Sequence, residues 1–127
     1  MSDSTDNDML GVGLQLTVSV AHDAAVVAAV GEIDMATVPH LREAVSGVLD
    51  NDAVPALLVI DLREVSFLAS AGLALLVEIA NATEVRDAAL RIVAITPPVL
   101  RAFEVTGLDD RLAIYDTLVE ALAAPRR

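Results

Sequence analysis

Seven consecutive residues, Ala56 to Leu62, are apolar apart from Asp61 and lie between Pro55 and the charged residues Arg63 and Glu64. A short apolar run punctuated in this way reads as a buried strand. Soon after it, Ser70 opens a pattern in which Leu73, Leu76, Val77 and Ala80 form the inner stripe of a helix, while Glu78 and Asn81 face water. The chain is therefore expected to pass from a buried strand to a helix at a serine. A helix start offers unpaired N–H groups and a partial positive charge, so a serine there can serve as a capping residue or carry a phosphate.

The rest of the chain repeats this grammar. Leu14 to Val20 alternates apolar and polar side chains, as a half-buried strand does. His22-Asp23 reads as a turn, and Ala24 to Val30 returns antiparallel, ending at Gly31. Thr37 is placed to cap a helix with Pro39 in its first turn and Leu41, Ala44, Val45, Val48 and Leu49 on one face, ended by Asn51-Asp52. A strand is expected over Ala89 to Ile95. The next helix starts at Thr96-Pro97-Pro98, carries Val99, Leu100 and Phe103, and stops at Gly107. Leu112 to Tyr115 is a last strand, and Thr117 caps a final helix with Leu118, Ala121 and Leu122 inward. Strands alternating with helices imply right-handed crossovers and an α/β fold with a largely parallel sheet, its first strand antiparallel at an edge.

Composition narrows the function. The chain has 127 residues, 55% of them hydrophobic, which suits one compact domain. Its net charge of −11, from 19 acidic and 8 basic residues, disfavours a grip on nucleic acid or anionic membrane. All basic residues are arginine. Without lysine, a Walker-type phosphate loop, a Schiff-base enzyme and a phosphoaspartate receiver all lack a residue they rely on, so Asp61 reads as structural. Without cysteine, disulfides and thiolate chemistry are absent as well. His22 and His40 are isolated, with no second ligand at metal spacing. No catalytic constellation, metal or cofactor is expected, and the chain does not read as an enzyme. Met1 to Met9 is polar and acidic, unlike a signal peptide, and no apolar run approaches the length of a membrane helix. The expectation is a cytoplasmic protein with an acidic, flexible tail over 1–10, one domain over 11–124 and a short tail over 125–127.

Three blocks of sequence resemble the STAS domain of bacterial anti-anti-sigma factors, also called anti-sigma factor antagonists. Asp61, Val65, Phe67, Ser70, Gly72 and Leu73 fit that family's central motif. Val30-Gly31-Glu32-Ile33-Asp34, followed by Thr37, Pro39 and Leu41, is similar to its Gly-Glu-hydrophobic-Asp turn and first helix. Thr106-Gly107-Leu108-Asp109 is similar to a third block. The blocks keep the family's order and extend from about Leu14 to Ala123.

The resemblance implies a single STAS domain with helices packed mainly on one sheet face and Ser70 at an exposed helix start. It implies that Ser70 is the phosphoacceptor of a partner that is both anti-sigma factor and ATP-dependent serine kinase, and that a phosphatase reverses the modification. It makes Glu32, Asp34, Leu68, Ala69, Ala71, Gly72 and Leu73 the partner-binding residues, the contact relying on small apolar side chains. Local chemistry alone favours an N-cap or first-turn role for Ser70, a turn-closing role for Asp34, and turn or loop roles for Ser66, Asp109, Asp110 and Arg111. The chain departs from the family at Ala69, where aspartate usually precedes the serine, and at Ala71, a frequent Ser or Thr. Ala69 motivates an alternative, a constitutive antagonist or scaffold that is never phosphorylated; a small-molecule-sensing STAS module is another.

Overall fold

The computed structural model describes residues 13–124; the tails expected over 1–10 and 125–127 lie outside the described residues. Five strands form one sheet in the order β1-β2-β3-β4-β5: β1 (Leu14–Ala21), β2 (Ala24–Ile33), β3 (Leu57–Leu68), β4 (Ala89–Val93) and β5 (Ala113–Tyr115). β1 and β2 are antiparallel, joined at His22-Asp23, where His22 takes φ 57° in the left-handed region. Every later pairing is parallel.

Three helices make the crossovers: α1 (Val38–Leu49), α2 (Ser70–Val85) and α3 (Pro97–Thr106), the last followed by a 3-10 turn over Leu108–Asp110. The sheet grows in one direction and each crossover is right-handed by preference, so all three helices belong on one face. There Leu58, Ile60 and Leu62 of β3 join Leu41 and Val45 of α1, Leu75, Leu76 and Ile79 of α2, and Phe103 of α3 in one core. A short helix, α4 (Leu118–Ala123), lies against the other face, where Ala121 packs with Leu57, Val59 and Val93. Arg91, 4% exposed, fixes it there by donating from one guanidinium nitrogen to the carbonyls of Ala121 and Ala124, both at 2.7 Å. The expected α/β architecture, with its antiparallel edge strand and helices mainly on one face, is the observed one.

Local differences have physical causes. β3 runs six residues beyond Leu62, because β2 continues through Gly31 to Ile33 and pairs with it. Two register shifts, between Ala28 and Val30 and between Gly31 and Glu32, leave Leu62, Val65 and Leu68 buried at a spacing of three. Ser66, expected in a link, therefore sits in the strand. Gly31 is required at its shift: φ is 122°, and a Cβ would collide with the Gly13 carbonyl, while the neighbouring Glu32 N–H donates to that carbonyl at 2.6 Å. Thr37 sits at the N-cap position of α1 but supplies no side-chain cap; its hydroxyl and the Asp34 carboxylate close the turn before the helix, as described below. Leu122 is 42% exposed instead of inward, since α4 is a single short turn and a half with only Ala121 fully buried. Gly107 closes α3 in the left-handed conformation (φ 74°), and Thr117 caps α4 by accepting from the Glu120 N–H at 3.0 Å.

Candidate functional site

The C-terminal ends of β2 and β3 lie side by side, Glu32 opposite Phe67 and Ile33 opposite Leu68. The Ala69 N–H then donates to the Ile33 carbonyl at 2.8 Å, extending the ladder by one bond before the chain turns into α2. Ala69 is the N-cap residue, extended at φ −79° and ψ 168°, and its carbonyl accepts from Gly72 and Leu73. Its methyl cannot cap. Ser70 is thus the first helical residue, a first-turn serine and not the N-cap, the second of the two local roles its spacing allows. Its side chain is exposed and its hydroxyl makes no hydrogen bond within the described residues. The backbone N–H groups of Ser70 and Ala71 likewise have no hydrogen-bond partner among the described residues, as at any uncapped start.

The neighbouring turn is built differently. Asp34 is half-buried, and its Oδ1 accepts from the N–H groups of Ala36 and Thr37, both at 3.0 Å. The Thr37 hydroxyl, 2% exposed, accepts from the Asp34 N–H and donates to the Glu32 carbonyl, both at 2.9 Å. Asp34 therefore has the turn-closing chemistry read from sequence, and Thr37 locks the turn to the end of β2. Glu32 is exposed. Arg42 and Glu78 pair across α1 and α2 at 3.1 Å; each strengthens the other's charged form, the hydrogen bond first and their attraction second.

Leu68, Gly72 and Leu73 do not present the apolar surface expected of them: Leu68 is 6% and Leu73 8% exposed, and Gly72 is buried. They hold α2 onto the sheet. A Cβ on Gly72 would stand 2.6 Å from Leu68 Cδ1 and 2.7 Å from Ile33 Cγ2, so only glycine permits this close approach. Ala69 and Ala71 are half-buried. The exposed apolar side chains at this end are instead Phe67, at 49%, and Met35, at 81%. Sequence reasoning used Phe67 only as a motif position and passed over Met35. The signal that could have found them is the sequence itself, a phenylalanine just before a buried leucine at a strand end and a methionine directly after the turn aspartate.

Asp61 lies lower on β3 and is paired, as a structural residue should be. Burial works to raise its pKa, but the Arg63 side chain, at 3.0 and 2.7 Å, and the Arg63 N–H, at 3.1 Å, outweigh that and hold the carboxyl below its ordinary range. Ser66 reaches the Gly31 carbonyl only at 3.4 Å, and Asp109, Asp110 and Arg111 are exposed around the end of α3. Among the described residues no group of histidines and carboxylates could hold a metal, and no helix is long and apolar enough to cross a membrane.

A parallel sheet with an antiparallel edge, three helices on one face and a glycine-seated helix opening on an exposed serine defines a recognisable class: the chain belongs to the STAS domain family, which it matches over residues 15–121. Among curated proteins it is similar to the anti-sigma-F factor antagonist RsfB of Mycobacterium tuberculosis, 34% identical over 113 residues that cover 87% of this chain and 90% of that one. It is also similar to the anti-sigma-B factor antagonist of Listeria monocytogenes, 34% identical over 66% of this chain and 72% of the relative. Among solved structures, an anti-sigma factor antagonist from Mycobacterium paratuberculosis superposes with a TM-score of 0.78 at 37% identity, covering 90% of this chain and 95% of that one.

Proposed function

We propose that this protein is an anti-sigma factor antagonist, which binds an anti-sigma factor of the serine-kinase type, releases its sigma factor, and is switched off by phosphorylation at Ser70. The observation that carries the reading is the Ser70 hydroxyl, exposed, without a hydrogen bond among the described residues and set at the start of a long helix. A kinase supplies base, metal and nucleotide, so the acceptor needs no basic neighbour and the chain acts as substrate, not as enzyme. The added phosphate brings about −1.5 to −2 charges and a hydration shell, which the free N–H groups of the helix start tolerate but a closely docked partner does not. A weakening of about 1.4 kcal/mol already lowers affinity tenfold. Glu32, Ala69 and Ala71 border the serine and take part in the contact; Asp34, Leu68, Gly72 and Leu73 shape it from beneath. A phosphatase acting on Ser70 restores binding. The setting is cytoplasmic, and with a net charge of −11 neither nucleic acid nor membrane is a partner. The names of the relatives support the antagonist role, and the free hydroxyl supports the switch.

Calorimetric titration of wild type, Ser70→Ala and Ser70→Glu against purified anti-sigma factors of the source genome, with and without ATP, tests this. Wild type and Ser70→Ala are expected to bind one of them, Ser70→Glu to bind at least tenfold more weakly, and ATP to abolish binding of wild type alone. Ala69 supports a second reading, a constitutive antagonist outside phosphorylation control, in which all three bind alike with or without ATP.

A further inference from the structure

We infer that Phe67, Val30 and Met35 form an apolar anchor beside Ser70, and that the partner seated on it presents an apolar pocket with a basic rim. The inference rests on the antagonist reading and specifies the surface through which it works. Val30 pairs with Glu64 and Glu32 with Phe67 on the bulged half of the sheet. Ile33, Val65 and Leu68 turn into the helix-covered core, so these four residues take the opposite side, where Val30 is 40% and Phe67 49% exposed. α4 packs on Leu57, Val59 and Val93, at the other end of the strands. Met35, 81% exposed, follows Ile33 by two residues, and the Ile33 carbonyl is the acceptor for Ala69 at the Ser70 turn.

The chain has two phenylalanines and no tryptophan; Phe103 is fully buried, so leaving Phe67 half in water is selective. Exposed aromatic and methionine side chains at a strand end are the residue types that interface centres favour. Their rim is acidic. Glu32 and Glu64 are exposed on either side of the patch, while the nearby Arg63 is held by Asp61. Complementarity then calls for cationic side chains around the partner's pocket. A hydrated dianion on Ser70 at the border of this seat would have to be stripped of water or would hold the two surfaces apart, so phosphorylation opposes closure even against a basic rim.

The test titrates each purified anti-sigma factor of the source genome with wild type, Phe67→Ala, Met35→Ser, the double variant Glu32→Gln/Glu64→Gln, and Ser70→Glu as the control for the switch. Phe67→Ala is expected to weaken binding by about tenfold or more and Met35→Ser by about threefold. Wild-type affinity should fall several-fold from roughly 50 to 300 mM salt, and the double carboxamide should lose most of that dependence. Thermal unfolding checks that Phe67→Ala is folded; were it not, Met35→Ser and the salt series decide. Phe67→Ala and Met35→Ser both within twofold of wild type overturn the anchor, and do so without touching the switch when Ser70→Glu still loses binding. Failure of wild type to bind any of these factors overturns the antagonist reading and the anchor together.

Discussion

α1 and α2 both begin where a parallel strand ends, at the same end of the sheet, yet their starts are built in opposite ways. The start of α1 is crowded with polar contacts: Asp34 Oδ1 holds two N–H groups and the buried Thr37 hydroxyl bridges the Asp34 N–H and the Glu32 carbonyl. The start of α2 has an alanine as N-cap, no side-chain cap and an idle serine hydroxyl. Neither helix has a side-chain cap, but the turn before α1 is fixed by polar contacts that the α2 start lacks. The difference is intelligible if the first turn must hold a fixed shape, whereas the second must leave its hydroxyl accessible to an outside reagent. What seats α2 is then not its cap but Gly72, pressed against Ile33 and Leu68.

The largest effect is expected on the crowded side. Thr37→Val keeps the volume but removes the hydroxyl, leaving the Asp34 N–H and the Glu32 carbonyl without that partner at a position 2% exposed. Denaturant unfolding should show a loss of about 2 kcal/mol. A loss below about 0.5 kcal/mol would mean that the α1 start is no better secured than that of α2. Next comes Gly72→Ala. An added methyl in a helix gains up to about 1 kcal/mol in propensity, but overpacking costs about 1–3 kcal/mol, and two contacts under 3.0 Å put this site toward the upper end. A net loss of about 1.5 kcal/mol is expected; a rise in stability would show that Leu68 and Ile33 give way and that glycine is not what seats the helix.

Ala69→Asp sharpens the comparison from the other side. Position 69 already has the extended backbone of an N-cap, so an aspartate there can accept from the first-turn N–H groups without rearrangement. Its charge also complements the helix dipole. Thermal unfolding should register a gain of about 1 kcal/mol, giving the α2 start a polar hold that it now lacks. An unchanged midpoint would show that the N–H groups of Ser70 and Ala71 are already satisfied by solvent as well as a carboxylate could satisfy them.

Most of the architecture was legible because it depends on features that repeat: apolar runs, capping residues such as Thr117 and the left-handed stop at Gly107. The upper half of β3 was not, because its two register shifts bury Leu62, Val65 and Leu68 at a spacing of three that matches neither strand nor helix. That same irregularity hid the exposure of Phe67 and the burial of Leu68. For the candidate site, Ser70 was correctly placed at a helix start, but whether it or Ala69 is the cap depends on a one-residue boundary that apolar periodicity does not resolve. Thr37 illustrates the same limit. It occupies the N-cap position read for it, but its hydroxyl turns to the Glu32 carbonyl, which ends β2 within reach, instead of capping α1.

The smallest effect expected is that of Ser70→Ala on stability, and it is the most useful. The hydroxyl has no partner among the described residues, the side chain is exposed, and alanine is the better helix former. The free energy of unfolding should change by no more than about 0.5 kcal/mol. With stability held constant, any effect of this substitution on partner control comes from the hydroxyl as an acceptor and not from a loosened α2. A loss of about 1 kcal/mol or more would instead assign the hydroxyl a capping role, bring the α2 start closer to that of α1, and remove the observation on which the phosphoacceptor reading stands.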